Sequence, residues 1–323
     1  MDRNLAINLV RVTEAAALNS SRHLGRGDKN LADQAAVDAM RRMFDTLYID
    51  GTVVIGEGEM DQAPMLYIGE QIGKATGNSI KLDIAVDPLD GTNAVAKGIS
   101  GAISVVAVAP RGCLLNAPDM YMDKIAVGPA ASNCVSLDYS VEENLYNLSR
   151  ALNKDIKDIT VTILERPRHD ELIKRVRQTG ARIKLFPDGD VAAAIATCFP
   201  DSGVDILMGI GGAPEGVIAA AAIKSMGGEF QGRLYSMNEE EENRCHKMGL
   251  GDINKTLYIE DLVKGKEVVF AATGVSSGEL LKGVVYYENN RAKTHSLVMR
   301  GETGTIRYIE AIHRMDKKPK YAR

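Results

Sequence analysis

The most informative stretch of this chain is Asp87-Pro88-Leu89-Asp90-Gly91-Thr92. It follows residues 80–86, whose alternating pattern ends in an apolar run that is typical of a strand buried at its end. Because Pro88 and Gly91 bend the chain after that strand, two carboxylates three residues apart can point at the same metal ions. Thr92 adds a hydroxyl and a backbone amide beside them. The pattern favours metal-assisted removal of phosphate from a sugar or a polyol.

Length and composition indicate two domains of ordinary size. The chain has 323 residues, of which 45% are hydrophobic and 25% are charged, values that are typical of globular proteins with sizeable cores. Its net charge of −4 gives no electrostatic reason to expect nucleic acid or an anionic membrane as a partner. An anionic substrate would therefore need a local group of cations or a bound metal.

The apolar runs and the cysteines together favour a cytoplasmic protein. No apolar run approaches the ~18 residues that a membrane span requires, and the first residues lack the pattern of a secretory signal. The four cysteines are scattered, with no CxxC pair and no histidine at zinc-like spacing. This distribution indicates reduced thiols rather than a disulfide framework.

The order of predicted elements differs between the two halves of the chain. Residues 1–130 show two helices followed by several strands, which predicts an α+β domain that binds metal. Residues 131–323 show strands alternating with helices, which predicts an α/β substrate-binding domain with a mainly parallel sheet. The fold class is therefore α/β, and the pattern leaves open where residues 290–323 pack.

Four acidic residues lie at predicted strand ends or at a helix start, close to glycines: Asp33, Glu57, Asp87 and Asp90. Carboxylates in such places often form the ligand site of an open sheet, although any one of them alone is more often a solvated surface residue. Four in one half of the chain favour a site for a divalent metal. Oxygen ligands without His or Cys suit Mg²⁺ or Mn²⁺ better than zinc.

A fifth acid, Glu215, lies in a glycine-rich loop that joins a predicted strand to a predicted helix. Free amides and the helix dipole favour an anion at such a helix start, and Pro214 suits the first helical turn. Glu215 is either a first-turn acid without a function or a metal ligand beside a phosphate. The same loop partly matches a dinucleotide-binding fingerprint, which keeps a nucleotide-binding oxidoreductase as a distant alternative. Pro214 at the third glycine position and the charge of Glu215 oppose it.

Groups that could bind a sugar phosphate follow other predicted strands. Arg166 and Arg168 have the planar geometry that suits phosphate oxygens, and the carboxylates of residues 188–190 could accept hydrogen bonds from sugar hydroxyls. The plainer interpretations are a surface arginine pair and an Asp190 that caps a helix. For Tyr121, the two alternatives are a phenol that contacts a phosphate and a ring that packs over the hydrophobic core.

Taken together, these segments resemble the class II fructose-1,6-bisphosphatases, which belong with the inositol monophosphatases to the lithium-sensitive phosphomonoesterases. The resemblance covers nearly the whole chain. The 87–92 motif marks only the superfamily, whereas the Glu57 loop, the Glu-Arg-Pro-Arg-His run and the Gly-Gly-Ala-Pro-Glu-Gly loop narrow it to class II. The segments that carry it are residues 27–33, 55–59, 63–69, 87–92, 118–121, 165–169, 188–190, 211–216 and 294–297.

The resemblance implies a layered α/β/α/β/α sandwich, a homodimer or homotetramer, and a set of site residues. Implied metal ligands for Mn²⁺ or Mg²⁺ are Asp33, Glu57, Asp87, Asp90 and Glu215. Implied contacts to the sugar bisphosphate are Asp90, Gly91, Thr92, Tyr121, Arg166, Pro167, Arg168, Asp188, Gly189, Asp190 and Gly212.

The implied reaction is hydrolysis of the 1-phosphate of fructose 1,6-bisphosphate, a step of gluconeogenesis. Thr92, hydrogen-bonded to Asp33 or Glu57, would orient the metal-activated water and relay its proton, and Lys29 and Asp61 would assist. A sedoheptulose 1,7-bisphosphatase or an inositol monophosphatase is the nearest alternative, although two arginines favour a substrate with a second phosphate. A non-catalytic sugar-phosphate sensor is opposed by the complete set of acids.

Overall fold

A computed structural model describes residues 4–58, 63–77, 79–247 and 252–322. The chain divides into two compact units. The first unit contains residues 1–114 and 265–323, and the second contains residues 115–264. Within the described ranges, no helix has both the length and the apolar character needed to cross a membrane.

Helices and strands alternate through much of the second unit, whereas the first unit begins with two helices and ends with four consecutive strands. Residues up to 114 form α1 (Leu5–Ser20), α2 (Lys29–Phe44), β1 (Asp50–Ile55), β2 (Gln71–Ile72), β3 (Lys81–Asp90), α3 (Thr92–Lys97) and β4 (Ile103–Pro110). The second unit contains β5 (Tyr121–Val127), α4 (Val141–Leu152), β6 (Thr160–Leu164), α5 (Asp170–Thr179), β7 (Arg182–Phe186), α6 (Val191–Ala196), β8 (Ile206–Gly212), α7 (Ala213–Met226), β9 (Glu229–Tyr235), α8 (Glu239–Lys247), β10 (Leu257–Tyr258) and α9 (Ile259–Leu262). The first unit is completed by β11 (Val269–Gly274), β12 (Val285–Tyr287), β13 (Arg291–Arg300) and β14 (Thr305–Arg314).

The first unit is built on one mixed sheet with the strand order β2-β1-β3-β4-β11-β13-β14, and β12 also pairs with β13. β1 and β3 are parallel neighbours, so their carboxyl ends meet at the same edge of the sheet. Helix α2 begins at an N-cap, where the Asp28 side chain accepts a hydrogen bond from the Leu31 amide. Its apolar stripe, including Met40 and Phe44, packs with Leu9 of α1 and Ile84 of β3 in one core.

The sheet of the second unit has the order β10-β9-β5-β8-β6-β7. β6 pairs in parallel with β7 and β8, whereas β5 is antiparallel to both β8 and β9. The predicted mainly parallel sheet is therefore mixed, because β5 inserts between β8 and β9. Helices α4 and α5 contribute Leu145, Leu148 and Val176 to the core of this unit. The predicted α/β fold class is confirmed, since both units combine a sheet with packed helices.

The unit boundaries differ from the predicted division at residues 130 and 131. The second unit begins at Leu115 because β5 pairs with β8 and β9. Residues 265–323 belong to the first unit because β11 pairs with β4, and β13 and β14 extend that sheet. The β4–β11 and β5–β9 pairings join residues more than a hundred positions apart, and local sequence periodicity does not reveal such pairings.

A buried group of ionisable side chains joins α1 to β13 and β14. Thr294 Oγ1 donates a hydrogen bond to Glu14 Oε1 at 3.0 Å and lies 2.8 Å from His313 Nε2. Burial, together with the positive charge of Lys318, lowers the pKa of His313 to about 4. Burial raises the pKa of Glu14, and the charge of Lys318 and the hydrogen bond from Thr294 oppose that rise. The fold therefore favours a neutral His313 imidazole.

We expect His313 to make the protein less stable as the pH falls from about 6.5 to about 4. Its pKa is lower in the fold than the ordinary 6.5, so the unfolded chain binds more protons in this window. The stability that the neutral ring supplies above pH 6.5 is therefore lost on acidification. Glu14 contributes with the opposite sign, so wild type should be compared with His313→Gln, which keeps Glu14.

The measurement is thermal unfolding of both proteins at pH 7 and pH 4.5. Solvent screening weakens the effect, so the Tm advantage of wild type should shrink by about 2–4 °C at the lower pH. An unchanged Tm difference between the two proteins would contradict the assignment to His313.

Candidate functional site

The loop that carries Glu57 leaves the carboxyl end of β1 and folds back on residues 66–68. The Glu57 amide donates to the Leu66 carbonyl at 3.0 Å, and the Ile68 amide donates to the Gly58 carbonyl at 2.9 Å. A Cβ at position 56 would lie 1.9 Å from the Leu66 carbonyl oxygen, so glycine is required there. These contacts hold Glu57 beside the carboxyl end of β3.

The end of β3 explains how Asp87 and Asp90 come to lie on the same side of the sheet. In a regular strand, residues three apart point to opposite faces. Here Asp87 is opposite Val105 and Asp90 is opposite Ile103, so β3 contains one extra residue between them. Since Val105 and Ile103 share a face, their partners share it too. Pro88 suits this bulge because it has no amide to donate to the ladder.

Gly91 turns the chain sharply from β3 into α3. Its φ of +96° is in the left-handed region, and a Cβ there would lie 3.2 Å from the Cα of Ala102. Thr92 is then the first residue of α3 and is half-buried. Asp90 is only 4% exposed, and Asp87 accepts a hydrogen bond from the Leu89 amide at 3.0 Å. The local backbone of this turn therefore places the two acids and the hydroxyl close together in the chain, as the sequence predicted.

Asp33, in the second turn of α2, is hydrogen-bonded to the side chain of Glu57. Burial raises the pKa of Asp33, and the hydrogen bond with Glu57 opposes that rise. Two carboxyl groups this close share a proton unless a cation lies between them. The pair is therefore suited to a hard divalent cation, which carboxylate oxygens bind well.

Within the described ranges, no three His, Cys, Asp or Glu side chains are grouped closely enough to hold a metal ion. Lys29, the first residue of α2, is exposed, and Asp61 lies outside the described residues. The individual ligand roles therefore stay predictions, and the side chains of Asp33 and Glu57 form one predicted pair that is hydrogen-bonded.

In the second unit, the predicted sugar-phosphate residues form a connected group at the ends of β6, β7 and β8. Arg166 donates to the Pro187 carbonyl at 2.6 Å and to Asp188 Oδ1 at 3.3 Å. Arg168 donates twice to the Ile210 carbonyl, at 3.1 and 2.8 Å, and its guanidinium lies 4.6 Å from the centre of the Tyr121 ring. The two arginines are thus held in place by protein contacts, and Arg168 stacks on an aromatic face.

His169 fixes the glycine-rich end of β8. Its Nδ1 lies 2.6 Å from the Leu164 carbonyl, and its Nε2 accepts a hydrogen bond from the Ile210 amide at 2.8 Å. A Cβ at Gly209, where φ is +130°, would lie 2.9 Å from His169 Nε2. Burial lowers the pKa of His169, which agrees with a neutral ring that accepts at Nε2.

Glu215 lies in the first turn of α7 with one buried oxygen that has no hydrogen-bond partner in the described parts of the chain. Burial and the nearby charge of Asp190 raise the pKa of Glu215, and the charge of Lys124 opposes this. An orphaned buried carboxylate oxygen fits a metal ligand better than a first-turn surface acid. A Cβ at Gly212 would lie 1.8 Å from that oxygen, so the carboxylate covers the loop where a pyrophosphate would have to approach. This arrangement opposes the dinucleotide-binding alternative.

Lys124 is a residue of this group that was not predicted from the sequence. It is 2% exposed and donates to both Asp190 Oδ2 and the Gly212 carbonyl at 2.6 Å. The available signal was a lysine that directly precedes the apolar run of residues 125–127. A lysine is almost never fully buried unless its charge is paired. The predicted residues Gly189 and Pro167 lie in the turns beside this group, Gly189 with a φ of +68° and Pro167 at the start of a short 3₁₀ helix.

Comparison with known proteins gives consistent results. The family model described as bacterial fructose-1,6-bisphosphatase, glpX-encoded, matches residues 3–313. Fructose-1,6-bisphosphatase 1 class 2 of Escherichia coli K12 is 49% identical over 331 aligned positions, covering 98% of this chain and 97% of that protein. The class 2 enzyme of Haemophilus influenzae is 48% identical and covers 98% of each chain. Among solved structures, the suhB protein of Bartonella henselae matches 61% of this chain and 74% of its own at 15% identity, with a TM-score of 0.35.

Proposed function

The chain belongs to the bacterial class 2 fructose-1,6-bisphosphatase family, and from this premise we propose that it hydrolyses the 1-phosphate of fructose 1,6-bisphosphate. The products are fructose 6-phosphate and inorganic phosphate, which makes the protein a phosphoric monoester hydrolase of gluconeogenesis. The family is metal-dependent, and we propose Mn²⁺ or Mg²⁺ as the metal because the predicted ligands are all carboxylates. We further propose a cytoplasmic homodimer or homotetramer.

The observation that carries the proposal is the arrangement of acids at the carboxyl ends of β1 and β3. Asp33 and Glu57 form a hydrogen-bonded carboxyl pair, and the bulge in β3 turns Asp87 and Asp90 to one face immediately before Thr92. Hard oxygen donors followed by a hydroxyl are the groups that metal-assisted phosphate hydrolysis needs. The family match over residues 3–313 supports the same chemistry.

In the proposed reaction, water attacks the phosphorus atom, the bond between phosphorus and the sugar oxygen breaks, and the sugar oxygen takes up a proton from solvent to become the 1-hydroxyl. The Thr92 hydroxyl orients the water, and the Asp33–Glu57 pair accepts its proton. A divalent cation held at this site would supply Lewis acidity to this water and charge neutralisation to the phosphate. The residues that would hold it are Asp33, Glu57, Asp87, Asp90 and Glu215. Lys29 and Asp61 are proposed to assist.

The second unit is proposed to recognise the sugar bisphosphate. Arg166 and Arg168 supply cationic donors for phosphate oxygens, and Asp188 and Asp190 accept hydrogen bonds from sugar hydroxyls. The remaining proposed contacts from the second unit are made by the Tyr121 ring and by the backbone of Pro167, Gly189 and Gly212. The first unit is proposed to contribute Asp90, Gly91 and Thr92.

The test is phosphate release from a panel of substrates, with Mn²⁺, with Mg²⁺ and with EDTA. We expect the highest kcat/KM for fructose 1,6-bisphosphate and no turnover in EDTA. A higher kcat/KM for sedoheptulose 1,7-bisphosphate would favour the sister activity, and one for inositol monophosphate would contradict the proposed role of the two arginines. Full turnover in EDTA would contradict the metal-dependent mechanism.

A further inference from the structure

We propose that Lys124 is a positioning residue for sugar recognition, which rests on the function proposed above. Lys124 lies on β5, between β8 and β9, and its side chain is 2% exposed. Its ammonium donates to Asp190 Oδ2 and to the carbonyl of Gly212, both at 2.6 Å. Both acceptors belong to the predicted sugar-binding group, so one buried cation links two parts of that group.

A purely structural lysine is poorly suited to this position. The ammonium lies at the start of α7, whose N-cap is Gly212, where the helix dipole disfavours a positive charge. A buried ion pair also loses much of its attraction to desolvation, and apolar residues of similar size often serve stability as well. The position of the ammonium is therefore better explained by what it does to its acceptors.

The conformation of Asp190 shows what the ammonium does. Asp190 is the N-cap residue of α6, where an Asp side chain usually accepts a hydrogen bond from the first turn, but it makes no such bond. Its carboxylate instead turns to Lys124 and packs against Gly211, where a Cβ would lie 1.9 Å from Asp190 Oδ2. Lys124 thus selects one orientation of Asp190 over the usual capping orientation.

Loss of Lys124 should free Asp190 more than it disturbs the backbone of the β8 loop. Gly211 and Gly212 are also held by their pairing with Met122 and Tyr121 of β5. An Asp190 without its partner can rotate back to cap α6, where it no longer faces the sugar. Binding of the sugar should therefore weaken, while the acids and the hydroxyl of the first unit are unchanged. Lys124 also acts on the charge of Glu215, and the double variant with Asp190→Asn separates that effect from the effect on Asp190.

The experiment compares Lys124→Met with wild type in the full chain, using fructose 1,6-bisphosphate as substrate and inorganic phosphate as inhibitor. We expect KM to rise about tenfold, as for the loss of one hydrogen bond to a charged group, with kcat changed less than about threefold. The inhibition constant of inorganic phosphate, which has no sugar hydroxyls, should change less than about twofold. If the KM of fructose 1,6-bisphosphate and the inhibition constant of phosphate rose by the same factor, the inference would be overturned.

Lys224→Met is the matched control. Lys224 lies on α7 in the same unit, is 10% exposed, and binds one carboxylate, Glu260 at 2.7 Å, and one backbone carbonyl, that of Val263. Its loss should leave KM within about twofold of wild type. A KM rise equal to that of Lys124→Met would mean that any buried lysine of this unit has the same effect, and would overturn the inference.

Two further variants keep the test decisive. Where Lys124→Met does not fold, Lys124→Arg keeps the charge but changes the geometry of donation, and its KM should rise at least about threefold. In the double variant with Asp190→Asn, the KM should be no higher than in Asp190→Asn alone, because the two residues act as a unit. If the effects of the two substitutions on KM were additive in the double variant, the inference would be overturned. If wild type released no phosphate, the proposed function itself would be overturned.

Discussion

Replacing Asp33 by asparagine should reduce phosphate release from fructose 1,6-bisphosphate by ~10³-fold or more, mainly through kcat. The Asp33 carboxyl is hydrogen-bonded to Glu57 and is half-buried in the second turn of α2. An asparagine of nearly the same shape removes a negative oxygen from the proposed metal site and leaves the apolar face of α2 intact. The substitution therefore tests the ligand role without creating a cavity.

A second readout separates metal binding from general damage. Mn²⁺ should raise the Tm of wild type, because a ligand that binds only the folded state stabilises it, and should raise that of Asp33→Asn much less. Asp38→Asn is the control, since Asp38 lies on the same helix and bonds only to Gln34 among the described residues, at 2.8 Å. It should keep more than about half of the wild-type rate. An Asp33→Asn enzyme with more than about a tenth of wild-type kcat/KM would rule out Asp33 as an essential group.

The turn at residues 87–92 shows which part of the candidate site could be predicted from the sequence. The motif predicted two carboxylates directed at one place, but two acids three residues apart on a regular strand would point to opposite faces. The bulge opposite Ile103 and Val105 makes the prediction possible. The sequence indicates why a bulge can form here, since Pro88 has no amide to donate to the sheet. It does not indicate the partner strand β4, whose pairing places Asp87 and Asp90 on the same face.

What the sequence could not supply depends on distant pairing. Residues 265–323 belong to the first unit through β11, which pairs with β4 more than 150 residues earlier, and no local period records such a contact. Lys124 was missed for the same reason, because its partner Asp190 is 66 residues away. A lysine inside a strand resembles one exposed position of an alternating pattern until its partner is known. Local turns and helix starts can be predicted from a sequence, whereas buried ion pairs and the order of strands in a sheet cannot.

Thr92→Ala should lower kcat by ~10²-fold with little change in KM, because the hydroxyl is proposed to act on water and the variant keeps the backbone through which Thr92 is proposed to contact the substrate. Gly91 fixes where this hydroxyl lies: its left-handed backbone and its close approach to Ala102 leave Thr92 little freedom as the first residue of α3. Truncation to alanine keeps a residue that starts the helix equally well and removes only the oxygen and a methyl group.

Thr92→Ser restores the oxygen alone and is the matched comparison for Thr92→Ala. It should recover activity to within about tenfold of wild type, since serine can donate and accept in the same way but is less restricted about χ1. Both variants should bind Mn²⁺ as wild type does in the thermal-shift measurement, because neither changes a carboxylate. If serine and alanine lose activity equally, the methyl group and its packing would be responsible, and the proton-relay role of the hydroxyl would be wrong.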